Sequence, residues 1–263
     1  MKIIDLNEHH LPLYFFCLED WSDEMKEAGN HKEVWYSRMK DNGLRVKLAL
    51  DDNGIVGGMI QYAPIEHSVV EGEGLYFIYC IWVHGHKQGR GNFQKRGMGK
   101  ALLGAAEEDV RALGAKGIAA WGVRFPFWMR ASWFKKQGYT TVDRDGISIL
   151  LWKPFTHNVV PPKRIRQVKL PSTVPNKVAV TVFRNGWCPA QNLVFERARR
   201  VAADSDLKDK VAFQEIDTFD RGVLREWGIS DALFVDGKQV RTGPPPSFEK
   251  IRKLVRKRAK KIP

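Results

Sequence analysis

The sequence predicts a mixed α/β (α+β) protein of two domains, and three observations support this prediction. Apolar runs with the period of strands alternate along the chain with runs that have the period of helices. At 263 residues the chain is longer than one typical domain. Five prolines between residues 154 and 176 separate two such series. We therefore expect one domain over 1–153, a stiff linker over 154–176 and a second, smaller domain over 177–263.

Composition narrows the class of protein. The chain is 43% hydrophobic and 28% charged, which is typical of a globular protein with a substantial core. No apolar run is long enough to span a bilayer, so no membrane partner is expected, and residues 1–6 predict a first strand rather than a secretory leader. The three cysteines lie far apart, which argues against a disulfide scaffold or metal site and fits a reducing cytoplasm.

The charge distribution bears on partners. The net charge is +13, and residues 249–263 contribute +7 of it. Phe248, Ile251, Leu254 and Val255 recur there at helical spacing, which predicts a packed helix with a basic outer face. Non-specific contact with polyanions is the alternative, but the pattern favours a solvated helix over a nucleic-acid partner.

The first domain is predicted to run β-α-α-β-β-β-α-β-α-β-β. Its central strand, 75–83, is apolar throughout, as expected for a strand that is buried on both faces. A hairpin turn at Asp51-Asp52-Asn53-Gly54 joins two earlier strands. The other predicted segments are strands at 2–6, 44–50, 55–63, 117–123, 139–142 and 147–152, and helices at 11–19, 31–41 and 127–137.

A glycine turn between the central strand and the next helix predicts a phosphate site. The turn reads Gln94-Lys95-Arg96-Gly97-Met98-Gly99-Lys100. The helix after it carries apolar residues on one face, namely Leu102, Ala106, Val110 and Leu113. Backbone N–H groups and the positive end of the helix dipole converge at such a turn, and the three basic side chains add charge.

These residues resemble the Gln/Arg-x-x-Gly-x-Gly/Ala signature of the GNAT N-acetyltransferase superfamily, with Gln94, Gly97 and Gly99 at its three defined positions. Residues 133–139 echo the second signature of that family, and the predicted element order is similar over 1–153. The resemblance implies an acyl-CoA N-acyltransferase fold with a mixed central sheet. It also implies acetyl-CoA as co-substrate, held on residues 94–100, and direct acetyl transfer to a primary amine of a small molecule or peptide.

The resemblance further implies where catalysis occurs. The pantetheine arm of the co-substrate should pair with Ile81, Trp82 and Val83, with a backbone N–H at Ile81 or Trp82 stabilising the thioester oxyanion. The family's usual tyrosine acid is Phe134 here, which leaves Tyr139 as a substitute donor. Phe127 replaces the asparagine that often begins the same helix.

His84 and His86 are the nearest titratable groups, either as bases or as exposed loop histidines. Similar proteins join the strand to the glycine turn by about five residues, whereas Val83 and Gln94 are eleven apart. In this longer segment Lys87 or Arg90 would contact a coenzyme A phosphate, or the segment is a plain surface insertion. Tryptophans near the expected cleft indicate an acceptor wall or ordinary core packing; they are Trp121, Trp128 and Trp133.

The second domain is predicted to run β-α-β-α-β-β-α, and Trp187-Cys188-Pro189 opens its first helix. This arrangement resembles thioredoxin, and the whole chain resembles the YoaP-type GNAT proteins. Gln191 stands where thioredoxin has its second cysteine, and residues 230–232 lack the expected cis-proline. Cys188 is therefore either a single reactive thiol or part of a fold that no longer performs redox chemistry.

The function indicated by the sequence is acetyl-CoA-dependent N-acetylation. Two other classes remain open. One is an acyl-CoA-binding or sensory module without turnover, which Phe134 favours. The other is a thiol-dependent protein that uses Cys188. The acceptor and the oligomeric state are not indicated by the sequence.

Overall fold

The structure is a computed structural model that describes residues 1–125 and 128–262, and it divides the chain into two compact units. The first unit contains residues 1–21 and 36–164; the second contains residues 22–35 and 165–263. The sequence did not indicate that residues 22–35 group with the second unit. Among the described residues, no helix has both the length and the apolar character needed to cross a membrane.

The first unit is built on a long sheet with short helices. Its strands are β1 Lys2–Asp5, β2 Arg45–Leu50, β3 Val56–Pro64, β4 Val70–Glu71, β5 Leu75–Val83, β6 Gly117–Val123, β7 Thr140–Asp145, β8 Ser148–Pro154 and β9 Lys163–Arg164. The helices that lie wholly within it are α1 Leu11–Phe15, α4 Met98–Ala112 and α5 Ala131–Lys136. A further helix, α3 His31–Met39, contributes residues to both units.

The described residues of this unit form a seven-stranded sheet in the order β1-β2-β3-β5-β6-β8-β7. Every neighbouring pair is antiparallel except β5 and β6, so the sheet is mixed, as the sequence predicted. The α4 helix covers one face through Leu102, Ala106 and Val110. Residues of α1, including Leu13 and Tyr14, pack on the opposite face. Leu113, predicted on the buried face of α4, lies beyond its end and is 51% exposed.

A bulge and a separation of strands interrupt this sheet at the same level. Strand β5 pairs with β6 only over Leu75–Ile78 and then diverges from it. On the other edge of β5, Gln61 faces Cys80 and Tyr62 faces Ile78, so Tyr79 is an extra residue. A bulge bends its strand and re-aims the following residues. The second half of β5 is therefore left beside a gap rather than beside β6.

Most predicted segments agree with the structure to within a few residues, but the first helix does not. Residues 11–19 were predicted as one helix, whereas α1 ends at Phe15. Cys17 and Leu18 adopt left-handed backbone conformations, with φ of 51° and 68°, which no α-helix can contain. The helix predicted over 127–137 is observed as Ala131–Lys136, and its predicted start at Phe127 lies outside the described residues.

The second unit contains a smaller sheet between helices. Its elements are α2 Asp23–Lys26, β10 Val178–Arg184, α6 Pro189–Ala202, β11 Val211–Asp217, α7 Arg221–Trp227, β12 Ala232–Val235, β13 Lys238–Val240 and α8 Phe248–Ala259. The four described strands are ordered β11-β10-β12-β13. Strands β10 and β11 are parallel, and the other two pairs are antiparallel.

Two apolar clusters on opposite faces of this sheet hold the second unit together. Side chains of α6 and α8 pack with alternate residues of β10 on one face. Phe183, Ile216 and Trp227 form the cluster on the other face. In α8, Ile251, Val255 and Ala259 are buried while most of the lysines and arginines are exposed. This confirms the prediction of a packed helix with a basic outer face.

Candidate functional site

The glycine turn at residues 94–100 is exposed except at Met98 and Gly99, and it has the backbone of an anion site. Lys95 and Gly97 both adopt left-handed conformations, with φ of 63° and 84°, and Gly97 caps the N-terminus of α4. The first intrahelical bond of α4 runs from Ala101 N to Gly97 O. The preceding N–H groups therefore lie before the start of the helical hydrogen-bond ladder. Lys95, Arg96 and Lys100 are exposed around them, so a phosphate would meet both N–H groups and cations.

Phe93 anchors this turn to the sheet. Its side chain is 4% exposed and packs in the cluster between α4 and the sheet. Its N–H donates to the carbonyl oxygen of His84 over 2.9 Å. The chain therefore leaves β5 at His84 and returns to the same place at Phe93. The intervening residues form a loop whose two ends are hydrogen-bonded to each other. The apolar Phe93 at the end of this loop is a sequence signal that could have predicted the closure.

A polar network on α4 supports the helix from the sheet side. The Asp109 carboxylate accepts hydrogen bonds from Arg45 Nη2 at 2.8 Å, Arg45 Nε at 2.5 Å and the Tyr62 hydroxyl at 2.6 Å. Burial alone raises the pKa of Asp109, but the bonds from Tyr62 and Arg45 and the charge of Lys47 outweigh it and lower the pKa. The carboxylate is thus held ionised. These hydrogen bonds anchor α4, whose N-terminus follows the glycine turn.

The gap beside β5 contains the predicted oxyanion donor. The Ile81 N–H faces the gap and donates to Met129 Sδ at 3.4 Å. Strand alternation directs the Val83 amide to the same side. Met129 also accepts at its carbonyl from Val123 N, and Trp121 Nε1 donates to Tyr79 O at 2.8 Å. Thioether sulfur is a weak acceptor, so a substrate carbonyl could replace it on Ile81.

Phe134, at the position of the family's usual acid, and Tyr139, the substitute donor, both lie in the core. Phe134 is fully buried, and Tyr139 is 2% exposed with its ring 5.3 Å from that of Phe134. Burial raises the pKa of the Tyr139 hydroxyl well above its usual value, and the charge of Glu107 adds to the effect. A phenol in this state does not favour proton donation to a leaving thiolate. The position of Phe127, the other catalytic substitution, falls outside the described residues.

A cluster that the sequence did not reveal lies where β5 ends. It consists of Glu19, Trp21, Trp82, His84 and His86. Oxygen atoms of Glu19 lie 3.7 Å from His84 Nε2 and 3.8 Å from His86 Nε2. Burial raises the pKa of the Glu19 carboxyl, and the histidines and the two indole N–H groups only partly offset this. Glu19 is 65 positions from His84 in the chain, so no local pattern could have indicated the contact.

Hydrogen bonds fix the state of His84. Its Nδ1 lies 2.7 Å from the carbonyl oxygen of Gly91, which can only accept, so Nδ1 carries the proton. Its Nε2 accepts from Trp21 Nε1 at 3.0 Å and is therefore unprotonated. His84 is fully buried, so the expectation of an exposed loop histidine is wrong for it. His86, by contrast, has 51% of its side chain exposed.

The basic and aromatic residues that the sequence analysis considered around the cleft have different surroundings in the structure. Arg90 pairs with Asp20, with both N–O distances at 3.3 Å, while Lys87 is exposed. Trp121 and Trp128 are partly buried and form an edge-to-face pair against the core, with ring centroids 5.0 Å apart. Trp133 Cζ2 lies 3.5 Å from the position that a Cβ on Gly99 would take. Of the three tryptophans, Trp133 thus lies beside the glycine turn at residues 94–100.

Cys188 of the second unit is at the N-cap of α6 but is only 6% exposed. Beside its turn, a buried carboxylate at Asp231 accepts from Asn185 N at 3.1 Å and from Ser230 Oγ at 2.6 Å. Burial raises the pKa of Asp231. Cys80 is buried, whereas Cys17 is half-buried. The surroundings of Cys188 are those of a packed side chain rather than an accessible nucleophile.

Residues 5–139, just over half of the chain, match the sequence model of the acetyltransferase (GNAT) family. No curated protein matches the chain significantly.

Solved structures are similar to part of this chain at low identity. A GNAT family acetyltransferase from Brucella melitensis, in complex with acetyl-CoA, is 15% identical and covers 61% of this chain and 90% of its own, with a TM-score of 0.43. The PaiA N-acetyltransferase from Thermoplasma acidophilum, in complex with coenzyme A, is 18% identical and covers 59% of this chain and 100% of its own, with a TM-score of 0.42. A ribosomal-protein-alanine N-acetyltransferase from Brucella melitensis is 16% identical and covers 59% of this chain and 100% of its own, with a TM-score of 0.44. At these values the likenesses carry no argument about acceptor or mechanism.

Proposed function

Since this chain belongs to the GNAT acetyltransferase family, we propose that it moves the acetyl group of acetyl-CoA directly to a primary amine of a small molecule or peptide. The family's acyl donor is acetyl-CoA. The observation that carries the proposal for this chain is a juxtaposition. The second half of β5 has no strand partner on its β6 side, and the chain that follows it opens α4 at an exposed, basic helix N-terminus.

The turn at residues 94–100 would hold the pyrophosphate. Backbone N–H groups at the start of α4 and the exposed Lys95, Arg96 and Lys100 supply donors and positive charge. The pantetheine arm would then lie along Ile81, Trp82 and Val83, where the missing partner strand leaves backbone groups available. Both halves of the donor would be bound mainly by backbone.

Acetyl transfer requires three changes at the thioester. The nitrogen lone pair of the neutral amine attacks the carbonyl carbon and forms the C–N bond. The C–S bond breaks, its electron pair goes to sulfur, and the nitrogen loses a proton. The Ile81 N–H would stabilise the oxyanion in between, after the thioester oxygen displaces Met129 Sδ. Because Phe134 and Tyr139 are both buried, we infer that the thiolate leaves without an acid from that helix and takes its proton from water.

A charge substitution at Gly99 tests the donor site. Gly99→Glu places a carboxylate at the first turn of α4, where it complements the helix dipole but repels phosphate. We expect the affinity for acetyl-CoA, measured by isothermal titration calorimetry, to fall at least about 100-fold, since a like charge at this distance costs on the order of 3 kcal/mol. Gly99→Gln is the matched neutral control and should lose far less. Equal losses in the two variants would contradict an electrostatic phosphate site.

Turnover separates an enzyme from a protein that only binds acyl-CoA. Release of free coenzyme A thiol, followed with a panel of primary amines, should rise above the rate without amine. Tight acetyl-CoA binding with no amine-dependent release would instead support a binding or sensory module.

We propose further that the second unit is a thioredoxin-like module of the YoaP type. The parallel first strand pair, the order β11-β10-β12-β13 and the placement of Cys188 at the N-cap of α6 support this. The burial of Cys188 and the presence of Gln191 favour a packing or binding role over disulfide exchange.

A further inference from the structure

We propose that Glu19 binds the ammonium group of the acceptor and takes up the proton that must leave before transfer. This inference rests on the proposed function, because it assigns the acceptor side of the same site. It is carried by the position of the carboxylate next to Trp82, which follows the predicted oxyanion donor Ile81 on β5.

The Glu19 carboxylate is buried without adequate compensation. Its side chain is 14% exposed. Within the described residues, its Oε1 atom has no hydrogen-bond partner, and the indole N–H groups of Trp21 and Trp82 offset its burial only in part. A buried carboxylate is costly unless it is paired with a cation. The site is therefore short of one positively charged partner.

The histidine nearest to Glu19 uses both of its ring nitrogens in other hydrogen bonds. His84 Nδ1–H faces the Gly91 carbonyl, and its Nε2 accepts from Trp21. Protonation of Nε2 would break the bond to Trp21, since two N–H donors would then face each other. The nearby Arg90 is paired with Asp20. The remaining basic neighbour is His86, whose Nε2 lies 3.8 Å from Glu19 Oε1, beyond hydrogen-bond distance.

Aromatic rings complete a site of the kind that recognises ammonium groups. Trp21 and Trp82 border the cluster, with the ring of His86 6.0 and 6.3 Å from theirs. The electron-rich faces of indole rings attract cations, and a carboxylate adds a hydrogen-bonded counter-ion. A primary ammonium fits this combination of groups, whereas an anionic or purely apolar acceptor group does not.

The chemistry follows from the same geometry. The acceptor enters as R–NH3+, and one N–H bond breaks as its proton moves to Glu19, which leaves R–NH2 and a neutral carboxyl. The free nitrogen then attacks the thioester as described above. Glu19 returns its proton to solvent, which reaches the 14% of its side chain that is exposed. A carboxyl whose burial disfavours the charged form is a better base than a solvated one.

Substitution of Glu19 tests this role. In Glu19→Gln, we expect kcat/KM for the best amine of a panel (n-butylamine, 1,4-diaminobutane and a tetrapeptide with a free N-terminus) to fall about 100-fold. The Kd for acetyl-CoA should stay within about twofold of the wild-type value. The acid limb of the kcat/KM pH profile should disappear, because the base that it reports is gone. The matched control is Glu8→Gln, which alters an exposed carboxyl in the same N-terminal region and should change none of these.

A second measurement does not depend on turnover. In wild-type protein saturated with coenzyme A, addition of n-butylamine should shift the imidazole NMR signals of His86, and Glu19→Gln should abolish that shift. Because Gln removes a buried charge, the variant should fold at least as stably as the wild type, which a thermal melt checks.

The outcomes distinguish the two levels of the proposal. If Glu19→Gln keeps kcat/KM within about threefold and retains the acid limb, Glu19 is not the base, although the transfer function stands. A uniform loss at every pH, with the limb retained, would assign a structural role and also overturn the inference. If no amine is acetylated but n-butylamine shifts His86 only when Glu19 is present, the amine site stands and the transfer function is wrong. If neither occurs, both are wrong.

Discussion

Substitution of Gly57 by alanine should weaken acetyl-CoA binding although Gly57 itself lies on β3 and touches no donor atom in the proposed site. A Cβ at this position would lie 2.4 Å from Phe93 Cγ, 2.6 Å from Phe93 Cδ1 and 2.9 Å from Met98 Sδ. Real Cβ contacts do not reach such distances, so the Phe93 ring must move. That ring is 4% exposed and is packed in the cluster between α4 and the sheet.

The magnitude follows from overpacking. Forcing one methyl group into a filled core costs about 1–3 kcal/mol. In a domain of this size that corresponds to a fall in Tm of about 4–8 °C for a cost of 2 kcal/mol. Phe93 is tied to His84 O and directly precedes the phosphate turn, and Arg96 lies over its ring at 5.2 Å. Displacement of Phe93 should therefore also raise the Kd for acetyl-CoA about tenfold, or 1.4 kcal/mol.

Differential scanning fluorimetry and titration calorimetry measure the two effects. Gly104→Ala is the matched control, because nothing lies within 4 Å of its added Cβ and the residue is inside α4. It should stabilise the chain by about 0.5–1 kcal/mol through helix propensity and leave the Kd unchanged. A Gly57→Ala protein that melts and binds like the wild type would refute the role assigned to Phe93.

Two further predictions concern stability and thiol access. Asp109→Asn should lower the free energy of unfolding by about 1–2 kcal/mol in urea titrations at pH 7, because Arg45 and Tyr62 lose a charged acceptor and solvent reaches Arg45. The Asp109 pKa is lowered in the folded state, so this stabilisation is present above the usual value of 3.8 and is lost as the pH falls through the lowered one; a difference that stayed constant as the pH was lowered from 7 to well below 3.8 would contradict the ion pair. With a thiol-reactive disulfide reagent and mass spectrometry, the half-buried Cys17 should be modified before Cys188 and Cys80, and first reaction at Cys188 would support a reactive thiol instead.

The elements that carry the donor site could be predicted from local patterns. The strand at 75–83 is apolar in every position, and its observed bounds are the predicted ones. Gln94, Gly97 and Gly99 predicted both the turn and the family to which the chain belongs. These features depend on neighbouring residues, so a single sequence contains them.

The acceptor side could not be predicted in the same way. It depends on two left-handed residues, Cys17 and Leu18, neither of which is a glycine. Their backbone conformation ends α1 early and brings Glu19 to His84, and it is sustained by tertiary packing, with Leu18 fully buried. Tyr79 gives no local sign of its bulge either, because only the register of β3 against β5 defines it. The assignment of residues 22–35 to the second unit likewise depends on contacts between distant positions.

The hydrogen bond from Phe93 N to His84 O determines which part of this chain can vary in length. The two ends of residues 85–92 are held together, so the length between them could change during evolution, or in the laboratory, without altering the spacing between the strand and the phosphate turn. Such a stretch is a place where new acceptor contacts can arise while the donor site is preserved. One internal constraint is the carbonyl of Gly91, which accepts from His84, so a replacement loop would have to present an acceptor at that point.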